Sequence, residues 1–94
     1  MTDTGDVDET ETPGSDEISA LRVQIDAADA AIAEAIAHRR SLSARIQEVR
    51  RTAGGPPREP SREEVVVAAY AERLGHGGAD IGRAVLHACL PLQD

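Results

Sequence analysis

The sequence predicts an all-α fold of three helices, one long and two shorter, that pairs with a second copy of itself. Three observations carry this reading. First, apolar residues from Ile18 to Val49 recur at steps of three and four (Ile18, Leu21, Ile25, Ala28, Ile32, Ala35, Leu42, Ile46 and Val49). That spacing keeps one helix face apolar. Second, no segment alternates with the period of two expected of a strand. Third, the first helix is too long for its neighbours. At ~1.5 Å per residue, roughly 35 residues make a rod of roughly 52 Å. Two short helices cannot cover such a stripe, and the surplus implies another chain, most simply in a symmetric homodimer.

The elements follow in order. Residues 1–17 hold Asp3, Asp6, Asp8, Glu9, Glu11, Asp16 and Glu17 with no base, and include Pro13 and Gly14. So polar a stretch cannot offset the entropy of ordering. It reads as a disordered acidic tail over residues 1–16, with a folded domain over 17–94. The first helix is expected from about residue 17 to about 52, capped by Ser15 or Asp16 and closed by Gly54-Gly55-Pro56-Pro57. Acids near its start and Arg45, Arg50 and Arg51 near its end suit the helix dipole. A loop over 53–60 leads to the second helix, where Ser61 and Glu64 stand at capping-box spacing. That helix carries Val65, Val66, Val67, Ala69 and Leu74 and ends near Gly75. His76-Gly77-Gly78 reads as a turn. The third helix is expected from near Asp80 and carries Ile81, Val85, Leu86 and Leu90, with Pro91 ending it.

Composition removes several function classes. The net charge of -7 comes from the acidic tail; beyond it acids and bases balance. Such a domain is a poor polyanion binder, and with Tyr70 as its one aromatic it has little to stack on bases, so no nucleic-acid partner is expected. The acidic start lacks the apolar region of a secretory signal, no run is long enough for a membrane span, and lone Cys89 cannot form an internal disulfide. A cytoplasmic location is the expectation. His38, His76 and His87 have no ligand-like spacing, and no acid cluster suits a metal, so neither metal nor cofactor is expected.

All ten bases are arginine, the residue suited to two-point recognition of carboxylates. Arg39 occupies the seam between Ala35 and Leu42. It is either a register-setting polar residue of a helix pair or a ligand for an anion from outside the helix. Arg50 follows 11 residues later, close to three turns on, so the two share a face roughly 16 Å apart. Arg22 lies roughly 25 Å before Arg39, too far to join them from the same helix but within reach from an antiparallel partner. Arg62 and Glu63 open the second helix and can fold back near Arg50. Arg40, Arg45, Arg51 and Arg58 read as surface charges, Asp26 as a local partner of Arg22, Tyr70 as packing and Cys89 as a small core residue. The inferred site suits a small dianion bearing a hydroxyl.

Arg22-Val-Gln-Ile-Asp-Ala-Ala-Asp29, His38-Arg39-Arg40, Arg50 and Ser61-Arg62-Glu63, in this order and spacing, resemble the all-α chorismate mutases over about residues 17–75. The short form, with glycine after the first helix and a brief C-terminus, looks most like their intracellular actinobacterial subclass. The resemblance implies an intertwined helical homodimer that rearranges chorismate to prephenate for phenylalanine and tyrosine synthesis. The reaction is a pericyclic Claisen step driven by conformer selection and charge stabilisation. It further implies that Arg39 binds one substrate carboxylate and the partner's Arg22 the other. Arg50, where several relatives have lysine, would donate to the ether oxygen and a carboxylate. Glu63 would accept from the ring hydroxyl, with Arg62 orienting. Glu59 stands where some members use an aspartate to help hold the hydroxyl. The chain after Leu92 does not supply together the Ser and Gln that some members place over the substrate. The subclass also implies activation by docking onto DAHP synthase, the first shikimate-pathway enzyme. Two other readings stay open: an isochorismate-pyruvate lyase of the same fold, and a non-catalytic helical dimerisation or regulatory module.

Overall fold

The computed structural model describes residues 13–90. The first twelve residues of the acidic tail, and Pro91 to Asp94 with the expectations placed on them, lie outside the described residues. Helix α1 spans Ser15–Ala53, α2 spans Pro60–Leu74 and α3 spans Gly78–Ala88. No strand occurs among the described residues. The chain falls into two compact units, one ending at Ala33 and the other starting at Glu34.

The helix ends follow from local chemistry. At the start of α1, Ile18 N–H donates to the Gly14 carbonyl at 2.8 Å, with Asp16 and Glu17 in the first turn facing the positive end of the helix dipole. At its end Gly54 takes φ 80°. Gly54 N–H donates to Arg51 and Gly55 N–H to Arg50, at 3.3 and 2.8 Å. This is the left-handed cap that glycine adopts without a Cβ clash. Helix α2 starts differently from the expectation. Its N-cap is Glu59, with Pro60 in the first turn and no side-chain cap, so the Ser61–Glu64 capping box does not form. Proline at the first helical position moves the start ahead of Ser61. Helix α3 begins at Gly78, two residues before the expected Asp80, after Gly77 turns the chain at φ 78°.

In the unit up to Ala33, α1 is exposed throughout its apolar stripe: Ile18 48%, Leu21 49%, Ile25 57% and Ile32 56%. The unit from Glu34 has a small core in the α2–α3 hairpin. Val66, Val85 and Cys89 are buried there. Glycine makes the close approach possible: a Cβ at Gly82 would stand 3.0 Å from Tyr70 Cβ, and one at Gly78 would run into the Tyr70–Ala71 backbone. Within this unit α1 meets the hairpin through long side chains rather than close backbone packing. Arg40 Nε donates to the Ala88 carbonyl at 3.1 Å, and Gln47 Nε2 donates to the Pro57 carbonyl at 2.5 Å.

Candidate active site

The half-buried residues of α1 after Glu34 are Ile36, Arg39, Ser43, Gln47 and Arg50. Their steps of three and four make a second stripe, one position round from the apolar one. Arg39 belongs to this stripe, which explains a charge where the seam alone would call for an apolar residue. Four of the five, all but Ile36, line a cavity of about 290 Å³ that also takes in Arg58, Glu59, Arg62 and Glu63 and is floored by Val66, Leu86 and Cys89. Such a volume is at the small end of ligand pockets.

The structure therefore brings together Arg39, Arg50, Glu59, Arg62 and Glu63 around one space. Arg22 lies in the unit that ends at Ala33, is exposed, and pairs with no acid among the described residues; the expected Arg22–Asp26 pair is absent. Both side chains stand in water, where such pairs contribute little.

Two of the cavity's guanidiniums are engaged. Arg50 Nη1 donates to the Pro57 carbonyl at 3.2 Å, and its Nη2 lies 3.3 Å from Glu59 Oε2. Arg58 grips Glu63 with both arms, Nε to Oε2 at 2.9 Å and Nη2 to Oε1 at 2.7 Å. These hydrogen bonds, with the charge behind them, hold the Glu63 carboxyl below the usual carboxylate range and push Arg58 up. Arg39 and Arg62 have no acidic partner among the described residues. Four guanidiniums thus face two carboxylates, an excess of two positive charges carried by the two unpaired arginines. Arg58, read from the sequence as a surface charge, is exposed as expected, but it also lines the cavity and pairs with Glu63, a contact that reading did not include. Its signal was the Pro57-Arg58-Glu59-Pro60 run, which fixes the backbone on both sides of a charged pair.

No group of three or more His, Cys, Asp or Glu among the described residues is placed to hold a metal ion. No described helix is long and apolar enough to cross a membrane.

Three helices and a cavity with two unpaired guanidiniums define an all-α protein equipped to hold a small, doubly negative molecule. The chain belongs to the chorismate mutase type II family, which matches it over residues 21–89. No curated protein and no solved structure matches it. As a member of that family it is an isomerase, and its substrate is chorismate.

Proposed function

We propose that the cavity is the reaction chamber for the Claisen rearrangement of chorismate to prephenate, completed by a second copy of the chain. The observation that carries the reading is the pair of unpaired guanidiniums, Arg39 and Arg62, facing a space already lined by Arg50 and Glu63. Chorismate carries two carboxylates, a ring hydroxyl and an ether bridge. Arg39 binds one carboxylate as a two-point clamp. Arg22 of the partner copy binds the other. Arg50, fixed at the loop by the Pro57 carbonyl and Glu59, turns a donor to the ether oxygen, where negative charge grows as the C–O bond breaks. Glu63 accepts from the ring hydroxyl, helped by Glu59, and Arg62 orients the carboxylate. No proton moves to the protein. The rate comes from holding the reactive diaxial conformer and from donors fixed in advance.

The exposed apolar stripe of α1 supports the homodimer, since Ile18, Leu21, Ile25 and Ile32 find no cover among the described residues. A DAHP synthase is proposed as an activating partner and the cytoplasm as the compartment, both on the family resemblance.

The test is an absorbance assay of chorismate loss with prephenate detection, run with and without a cognate DAHP synthase. Prephenate formation is expected, with kcat/KM rising in the synthase's presence; no rise removes that partner. Pyruvate release from isochorismate without prephenate from chorismate overturns the mutase in favour of the lyase. If no dicarboxylate binds and Arg39→Ala preserves or raises thermal stability, the chain is a non-catalytic module.

A further inference from the structure

Arg58 and Glu59 sit between Pro57 and Pro60, and Glu59 has extended backbone at φ -127° and ψ 95°. Neighbouring side chains on extended backbone leave in opposite directions. Glu59 meets Arg50 on α1, and Arg58 meets Glu63 in the first turn of α2. The pair is unequal: the Arg58 side chain is 58% exposed and that of Glu63 only 23%. The acid is the member turned inward.

We propose that Arg58 is a positioning residue, which fixes the Glu63 carboxylate so that it receives the hydroxyl of the substrate. The inference deepens the isomerase reading and rests on it. A carboxylate has about four acceptor sites on its two oxygens. The two-armed contact uses one site on each oxygen and fixes the plane of the group. One site on each oxygen remains for the cavity. A carboxylate held this way gives up less freedom when substrate binds. Arg58 also keeps Glu63 ionised, and only the ionised form has every site available as an acceptor.

Other charged groups surround Glu63. Arg39 and Arg50 face the cavity from α1, Glu59 from the loop and Arg62 from α2. Glu64, Arg83 and His87 border the depression on its far side. Among the described residues, Arg58 alone hydrogen-bonds the carboxylate. These other groups are common to wild type and an Arg58 variant, so the difference between the two isolates Arg58.

The experiment compares the full chain with Arg58→Gln, Arg58→Lys and Glu63→Gln. One measurement is the carbon-detected NMR titration of the Glu63 carboxyl without substrate, assigned by its loss in Glu63→Gln. The other is the pH profile of kcat/KM with chorismate. In Arg58→Gln the Glu63 midpoint should rise, kcat/KM should fall by about 10- to 100-fold, and the acid limb should move to higher pH. Arg58→Lys, with charge but no planar fork, should recover part of each change. The melting temperature should barely move, because exposed pairs stabilise little. An Arg58→Gln effect confined to melting temperature, with the acid limb unmoved, overturns the inference. So does unchanged turnover in Arg58→Gln beside an inactive Glu63→Gln, an outcome that leaves the isomerase reading intact. A wild-type chain that does not convert chorismate overturns both.

Discussion

Helix α1 and the α2–α3 hairpin handle apolar surface in opposite ways. The hairpin has its own core: Val66, Val85 and Cys89 are buried, and Gly82 lets α3 approach the Tyr70 ring. Helix α1 is more than twice as long as either partner, yet none of its residues is buried. Ile18, Leu21, Ile25, Ile32, Leu42, Ile46 and Val49 are all exposed, the last at 66%. Its polar stripe, by contrast, is half-buried at the cavity. The hairpin buries apolar side chains, whereas α1 half-buries Arg39 and Arg50 and leaves its apolar stripe exposed. Core positions and cavity-lining charges are thus different residues, even where α2 carries both, so single substitutions should separate stability from chemistry.

The contrast breaks most sharply at the α1 stripe. Changing Ile25 and Ile32 to aspartate should abolish the proposed dimer, seen by analytical ultracentrifugation, and remove turnover with it. Each isoleucine forfeits about 1.5–3 kcal/mol of burial, on top of placing a charge in an apolar contact. An intact dimer would place the interface elsewhere. Next comes the polar stripe. Arg50→Ala should lower kcat by about 10²–10³-fold, as expected for one lost transition-state donor, with sedimentation unchanged. A parallel loss of assembly would make Arg50 an interface residue instead.

The apolar core of the hairpin, away from Arg62 and Glu63, should respond in stability alone. Val85→Ala should cost about 2 kcal/mol in chemical denaturation, a methyl-deletion effect with its cavity term, while kcat/KM in the folded fraction holds. Gly82→Ala should cost about 1–3 kcal/mol, because the new Cβ at 3.0 Å from Tyr70 forces the helices apart. The smallest effect concerns acid. The Glu63 carboxyl is depressed in the folded chain, so its pairing contributes above the unfolded glutamate value and is lost as pH falls through the folded value. Glu63→Gln should therefore flatten slightly the decline of stability on the acid side, measured as melting temperature against pH.

Much of this arrangement was legible in the residues. The helix ends near Gly54 and Gly75 are set by glycine's access to positive φ, a local property. The apolar seam of α1 was legible because periodicity is intrinsic to a helix. Less legible was which side of α1 faces the cavity. The apolar stripe and the Arg39–Ser43–Gln47–Arg50 stripe lie one residue apart, and only the location of the hairpin decides between them. The capping box failed because Pro60 outcompeted Ser61 as a starting signal. The bonds Arg40 to Ala88 and Arg58 to Glu63 depend on where a loop returns, which spacing along the chain does not encode.

An all-arginine cation set has a last consequence. Guanidinium does not give up its proton in proteins, whereas an ammonium can. The cavity's positive wall of Arg39, Arg50, Arg58 and Arg62 is built from guanidiniums alone. Turnover should follow a one-shouldered profile, falling in acid and running level through mild alkali. A lysine in place of Arg50 would restore the missing shoulder.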